Sequence, residues 1–200
     1  MISTRQYKSK LVREFWENGK AVDCPVYDVH GHMGPWYGSY LPFAKTEDMV
    51  ERMSLAGVKM LLFCHHASLL SSPDIGNTQN IEAVRKFPDK LRAYCGINPN
   101  YPEIIEKDLC SYDNYDNVYV GFKLLADYHK VAITDVKYRQ VWEFANKREL
   151  LVLLHTWGGS SCDGENLVKA VAEKYHKVKI IAGHSCHGNW DAATKLAKDF

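Results

Sequence analysis

Nine histidines occur in the 200 residues, and four of them stand where short apolar runs come to an end. Asp28-Val-His30-Gly-His32 closes the first run, Leu151-Val-Leu-Leu-His155 the fifth and Ile180-Ile-Ala-Gly-His184 the sixth. Side chains alternate along a strand, so residues 28, 30 and 32 are expected on one face. Two imidazoles two residues apart on a strand can ligate one divalent ion, with Gly31 leaving room for the backbone beside it. His-x-His is short and also arises by chance, and a lone strand-end histidine is more often a hydrogen-bonded structural residue. Four of them in this order are hard to assign to that bland reading. Lys123 adds a cation inside the otherwise apolar Gly121-Phe-Lys-Leu-Leu125. An unpaired buried ammonium is costly and either shifts its pKa or finds a partner.

The elements that must position these groups follow one grammar. Apolar runs at 25–29, 58–63, 91–97, 118–124, 150–154 and 178–182 are continuous and rich in β-branched and aromatic residues. That composition suits strands buried on both faces. Between them lie helical stripes: Met49, Val50, Met53 and Ala56 after Thr46 as a cap; Tyr138, Val141, Trp142 and Ala145 entered through Thr134-Asp135; and Leu167, Val168, Val171, Ala172 and Tyr175. Gly57 and Pro88 fall where helices should stop. The spacing of Tyr7, Leu11 and Phe15 predicts a helix before the first strand, so residues 1–20 read as a helical extension of one domain spanning 1–200. Strict alternation of strand and helix means parallel strands and an α/β fold, either an open doubly wound sheet or a (β/α)8 barrel. Neither G-x-G-x-x-G, G-x-x-x-x-G-K-[ST] nor G-x-S-x-G occurs.

Composition removes several classes. With 25 Lys+Arg against 24 Asp+Glu the net charge is +1, which lacks the basic footprint of a nucleic-acid or anionic-membrane protein. No apolar run approaches the roughly 18 residues of a membrane span, and the opening residues carry no signal-peptide pattern. Six scattered cysteines without a C-x-x-C read as thiols of a reducing cytoplasm, with Cys64 and Cys95 as small buried hydrophobes. Expected partners are therefore a small molecule, not nucleic acid or membrane.

In its His-x-His on strand one and its single histidines on strands five and six, the sequence resembles the amidohydrolase superfamily. Tyr27-Asp-Val-His-Gly-His32, Gly121-Phe-Lys-Leu124, Leu153-Leu-His-Thr-Trp-Gly158 and Ile181-Ala-Gly-His184 look most like its amidohydrolase-related branch, which includes metal-dependent hydrolases and decarboxylases similar to aminocarboxymuconate-semialdehyde decarboxylase. The resemblance covers about residues 25–190 and implies a TIM-type (β/α)8 barrel with its site at the C-terminal mouth of the strands. It makes His30, His32 and His155 metal ligands, and gives His184 a second ion or a hydrogen bond to the metal-bound water. Imidazole ligands suit Zn²⁺ best, with Mn²⁺, Fe²⁺ or Ni²⁺ as other choices. Lys123 matches a position that some binuclear members carboxylate; elsewhere it would contact an anionic substrate group or a neighbouring carboxylate. The implied activity is a metal-activated hydrolysis of a C–N or C–O acyl bond, with non-oxidative decarboxylation as the alternative. TatD-like nucleases share the histidines but carry a metal-binding Glu where Lys123 stands.

Around the expected mouth, His65 and His66 follow strand two, Trp36, Tyr37 and Tyr40 lie in the loop after the His-x-His, and Trp157 adjoins His155. Each is either a pocket wall or ordinary packing. Asp28 is expected to orient an imidazole from below; Tyr128 and His129 are weaker candidates, and His176 reads as surface. The family also uses an aspartate at the end of strand eight. Phe200 falls in the helix after strand six, no seventh or eighth strand can be drawn, and neither Asp163 nor Asp191 is a convincing substitute. The favoured explanation is a piece of a longer protein. The others are a barrel completed by another chain and a non-catalytic relative that binds metal or ligand as a scaffold. An open six-strand barrel exposes two strand edges, so self-association is expected.

Overall fold

The computed structural model describes residues 7–200. Six parallel strands, β1 (Val26–Met33), β2 (Val58–His65), β3 (Leu91–Ile97), β4 (Tyr119–Leu124), β5 (Leu151–Trp157) and β6 (Lys179–His187), pair strictly in chain order. Helices cover the outside: α1 (Lys10–Asn18), α2 (Thr46–Leu55), α3 (His66–Leu70), α4 (Pro73–Lys86), α5 (Pro102–Ser111), α6 (Ala126–His129), α7 (Arg139–Arg148), α8 (Glu165–Lys174) and α9 (Trp190–Asp199). Sequential parallel neighbours joined by helical crossovers curl into a nearly closed (β/α) barrel, and the open doubly wound alternative is excluded. Of the sequence's 1–20 extension, α1 lies within the described residues and 1–6 lie outside them.

The predicted strands are the observed ones because their runs are buried on both sides. Val152, Leu153 and Leu154 of β5 and Phe122 and Leu124 of β4 are fully enclosed. Trp142 and Tyr138 pack the outer layer, and the Trp142 indole donates to the Ile133 carbonyl at 2.8 Å. Cys64 and Cys95 are fully buried, as their apolar settings required. Thr46 is not a cap but the first residue of α2, behind Lys45, whose side chain makes no capping bond. Asp135 does cap, accepting the Lys137 N–H at 2.9 Å.

The register slips at four places in the sheet, and two of the slips lie beside site histidines. In β1, Asp28 faces Leu61 but Gly31 faces Phe63, so one extra residue bulges between them. In β6, Gly183 faces His155 but His187 faces Trp157. β1 and β6 form the two ends of the hydrogen-bonded order, and they are also the least covered strands. Tyr27 and Val29 are 51% and 40% exposed, while Ile180, Ile181 and Ala182 are half-buried. Among the described residues, no helix is long and apolar enough to cross a membrane.

Candidate functional site

At the C-terminal ends of β1, β5 and β6 the four histidines form one continuous row of ring contacts. His32 and His30 lie 5.4 Å apart between centroids, His30 and His184 5.1 Å, and His184 and His155 4.7 Å. Lys123 projects from β4 beneath the row, wholly buried, with Nζ 3.2 Å from His30 Nε2. The row continues outward at both ends. His66 stacks on His32 at 4.9 Å with Trp36 beyond it, and Trp157 stacks on His155 at 5.5 Å with Tyr128 edge-on at 5.5 Å. The (β/α) topology supplies this convergence, since parallel strands all finish at the same mouth.

The bulge in β1 changes how this end of the site is built. It breaks the two-residue parity between Asp28 and the histidines. Asp28 is exposed, and its carboxylate accepts the His30 backbone N–H at 3.0 Å rather than an imidazole N–H as the sequence suggested. Gly31 serves a different purpose from the one inferred. A Cβ there would lie 2.4 Å from Leu61 Cδ1, so the small residue allows β1 to seat on β2 rather than beside an ion. His65 and His66, though adjacent, part company. His65 caps α3, accepting the Ala67 N–H at 3.1 Å on Nδ1, and lines a surface cavity beneath the 40–48 loop. His66 opens the helix and turns to the mouth, its Nδ1 2.8 Å from the Gly34 carbonyl. Tyr37 and Tyr40 point outward, 79% and 89% exposed.

Electrostatics keep the imidazoles neutral. Burial, reinforced by Lys123 and then by the neighbouring rings His184 and His155, lowers the His30 pKa to about 4. Burial with Lys123 lowers His32 to about 3, and burial with His184 and Lys123 lowers His155 to about 4. His184 is the most exposed of the four and is also lowered, first by burial and then by Lys123. Burial brings Lys123 itself down to about 8, opposed by Cys64 and Asp163. His32 Nδ1 lies 3.2 Å from the Cys64 carbonyl, so a neutral ring donates there and leaves Nε2 as a free lone pair. That is the tautomer a metal-ligating histidine requires.

Neutral imidazoles with free lone pairs are the donors a borderline divalent ion selects. Tetrahedral coordination at metal–nitrogen distances of about 2.0–2.1 Å sets neighbouring ring centroids roughly 5 Å apart, the spacing seen along the row. Among the described residues, however, no three His, Cys, Asp or Glu donors already converge on one point. The Lys123 amine holds the His30 Nε2 lone pair, so an ion and this amine are alternative partners for one nitrogen. The donor set therefore fits a divalent ion in chemistry and ring spacing, though its donors do not yet converge on one point.

Three further residues belong to the surroundings, of which the sequence named only Asp163, and only to reject it as a base. His187, visible only as the second histidine of His184-Ser-Cys-His187, packs at 4.4 Å on Trp157. Thr156 is fully buried behind His155. Asp163, set aside as a base, is a wholly buried carboxylate that accepts the Asp127 N–H at 3.3 Å and raises the Lys123 pKa. His129 is structural: its ring bonds the Leu69 carbonyl at 2.7 Å.

No family model matches the chain, and no curated protein matches it. Solved structures do. An uncharacterised TIM-barrel protein from Bordetella bronchiseptica aligns at TM-score 0.61 and 14% identity over 78% of this chain. 2,6-Dihydroxybenzoate decarboxylase from Rhizobium aligns at 0.57 and 15% over 82%. 5-Carboxyvanillate decarboxylase from Novosphingobium aromaticivorans, in complex with manganese and a nitrobenzoic acid, aligns at 0.57 and 12% over 98%. The chain covers 57%, 67% and 58% of those three chains respectively. At these identities the likeness establishes the fold: a partial (β/α) barrel of the TIM type.

Proposed function

We propose that this chain carries the histidine half of a divalent-metal site of the amidohydrolase type and serves non-oxidative decarboxylation of a small organic acid. The observation that carries the reading is the row of neutral imidazoles at the barrel mouth with one buried amine beneath it. His30, His32 and His155 would hold the ion, and Mn²⁺ joins Zn²⁺ as the leading choice because a solved neighbour was complexed with manganese. A bound ion supplies Lewis acidity toward a substrate oxygen.

The remaining work falls to side chains. Lys123, beneath the row with Nζ 3.2 Å from His30 Nε2, would present ammonium donors to the substrate carboxylate or a neighbouring oxygen. His184, neutral at rest and the ring most open to water, takes up a proton from solvent and passes it to the carbon that bears the carboxylate. The C–C bond then breaks, its electron pair returns to that carbon, CO₂ leaves and His184 is neutral again. Trp157 and Tyr128 enclose His155 and limit water at that end, and Trp36 with His66 walls the other. Decarboxylation is preferred to acyl-bond hydrolysis because two of the three solved neighbours described above are decarboxylases and because a floor cation suits a carboxylate.

The test begins with elemental analysis of protein purified without added metal and of protein reconstituted with Mn²⁺ or Zn²⁺. The expected result is close to one ion per chain, lost in a His30→Ala/His32→Ala variant, with CO₂ release from hydroxybenzoic acids that disappears with the metal. Less than about 0.1 ion per chain after reconstitution, unchanged in the variant, refutes the site. Metal retention with amide or ester cleavage and no CO₂ release moves the assignment to the hydrolase. Retention without turnover moves it to a binding relative. Pairing of the uncovered β1 and β6 edges with a second copy is part of the same proposal. Sedimentation should show species heavier than a monomer, and a monodisperse monomer overturns that part.

A further inference from the structure

Beyond the His155–Gly183 pair, β5 and β6 fall out of step. Trp157 faces His187, so β6 uses four residues where β5 uses two. The surplus is taken up by His184, Ser185 and Cys186, which lie at φ 64°, 51° and 51°. Left-handed conformations are unfavourable for residues that carry a Cβ and normally occur singly. A run of three persists only where the surroundings hold it.

One side chain does so from both ends. The Thr156 hydroxyl donates to the Gly183 carbonyl at 2.5 Å and accepts the Cys186 N–H at 2.9 Å, spanning the run from the residue before it to its last member. Thr156 is fully buried, so water cannot replace either bond. Gly183 is in turn the floor under His30, since a Cβ there would stand 2.8 Å from His30 Cε1. A single hydroxyl thus ties together the platform of one site imidazole and the kinked backbone that carries another.

We infer that Thr156 is a positioning residue whose hydroxyl holds the left-handed run and so keeps His184 in ring contact with His30 and His155. The positioning itself is independent of metal; its consequence for turnover rests on the function proposed above for His184.

The test compares Thr156→Val, which keeps the shape and removes the hydroxyl, with Thr156→Ser, which keeps the hydroxyl. In metal-free protein the ring signal of His184, assigned by its loss in His184→Gln, reports ring currents from His30, His155 and Trp157. The expected result is displacement of that signal toward its solvent-exposed position in the valine variant and its return in the serine variant. If the valine variant does not fold, Thr156→Ala, which removes the hydroxyl without placing a second methyl against Gly183 and Cys186, takes its place, and the His184 signal should be displaced in it. An unchanged His184 signal in whichever of these folds overturns the inference. Turnover should fall in the valine variant and recover in the serine variant. Turnover that survives a displaced His184 leaves Thr156 as its anchor but refutes the proton-delivery role given to His184.

Discussion

The metal-free protein is expected to lose its fold on mild acidification, between about pH 6 and pH 4, with histidines rather than carboxylates setting the slope. His30, His65 and His155 have pKa values lowered from 6.5 to about 4, and His32 to about 3, in each case first by burial. Between those values and 6.5 the unfolded chain binds protons that the folded chain refuses, so stability falls as pH drops through this window. Each such proton is worth about 1.4 kcal/mol per pH unit. His155 is buried and His32 nearly so, and both count nearly in full. His30 and His65 keep part of their surface in water, and screening reduces each to roughly half. The sum is about 4 kcal/mol per pH unit, so two to three units remove roughly 8–12 kcal/mol, most of the ordinary range of domain stability. Urea unfolding at pH 7.5, 6 and 5 measures it, and His32→Gln should remove about 1.4 kcal/mol per unit of the slope. Stability that stays level from pH 7 to 5 would show that these imidazoles are not sequestered. Excess divalent ion should move the transition to lower pH, because metal and proton compete for the same lone pairs.

The same burial explains what could and could not be read from the residues. Strands β1 to β6 were legible because their runs must be apolar on both faces, and the strand-end histidines were legible because parallel strands finish together. Helix α4 was legible only by its stop at Pro88. Its buried residues are Pro73, Gly76, Asn77, Asn80, Ala83 and Val84, a face with little apolar signal. The asparagines are there for a reason that only the fold reveals. The β2–β3 ladder stops at Phe63–Ala93, and beyond it Asn80 Oδ1 accepts the His65 N–H at 2.8 Å while Asn77 Oδ1 accepts the Gly96 N–H at 2.8 Å. Side-chain amides replace strand partners where the barrel splays. The bulge before His30 and the kink after Gly183 were equally invisible, since nothing local in Asp28-Val-His30 or His184-Ser-Cys186 demands an extra residue. They decided the fates of Asp28 and Gly31. The sequence therefore indicated which side chains meet at the mouth, while the backbone irregularities that aim them come from tertiary packing.

Lys123→Met is expected to make the metal-free protein more stable and the site inactive. The ammonium is wholly enclosed, and among the described residues its one hydrogen bond is to a neutral imidazole, His30 Nε2 at 3.2 Å. A pKa brought from 10.5 to about 8, chiefly by burial, corresponds to about 3 kcal/mol of folding free energy forgone at neutral pH. Cys64 and Asp163 already offset part of the burial penalty within that figure. Methionine has similar length and no charge to desolvate, so a gain of about 1–3 kcal/mol in urea unfolding at pH 7 is the expected outcome. The gain has a defined pH signature. Between about 8 and 10.5 the unfolded lysine holds a proton that the folded one releases, so the wild-type protein gains stability with rising pH and the variant does not. The difference between them should be largest below pH 8 and vanish above 10.5. A variant destabilised at pH 7, with no narrowing at high pH, would mean that Lys123 is a satisfied structural residue. A stabilised and inactive variant would mean that the barrel carries an unfavourable buried cation because the reaction requires it at that place.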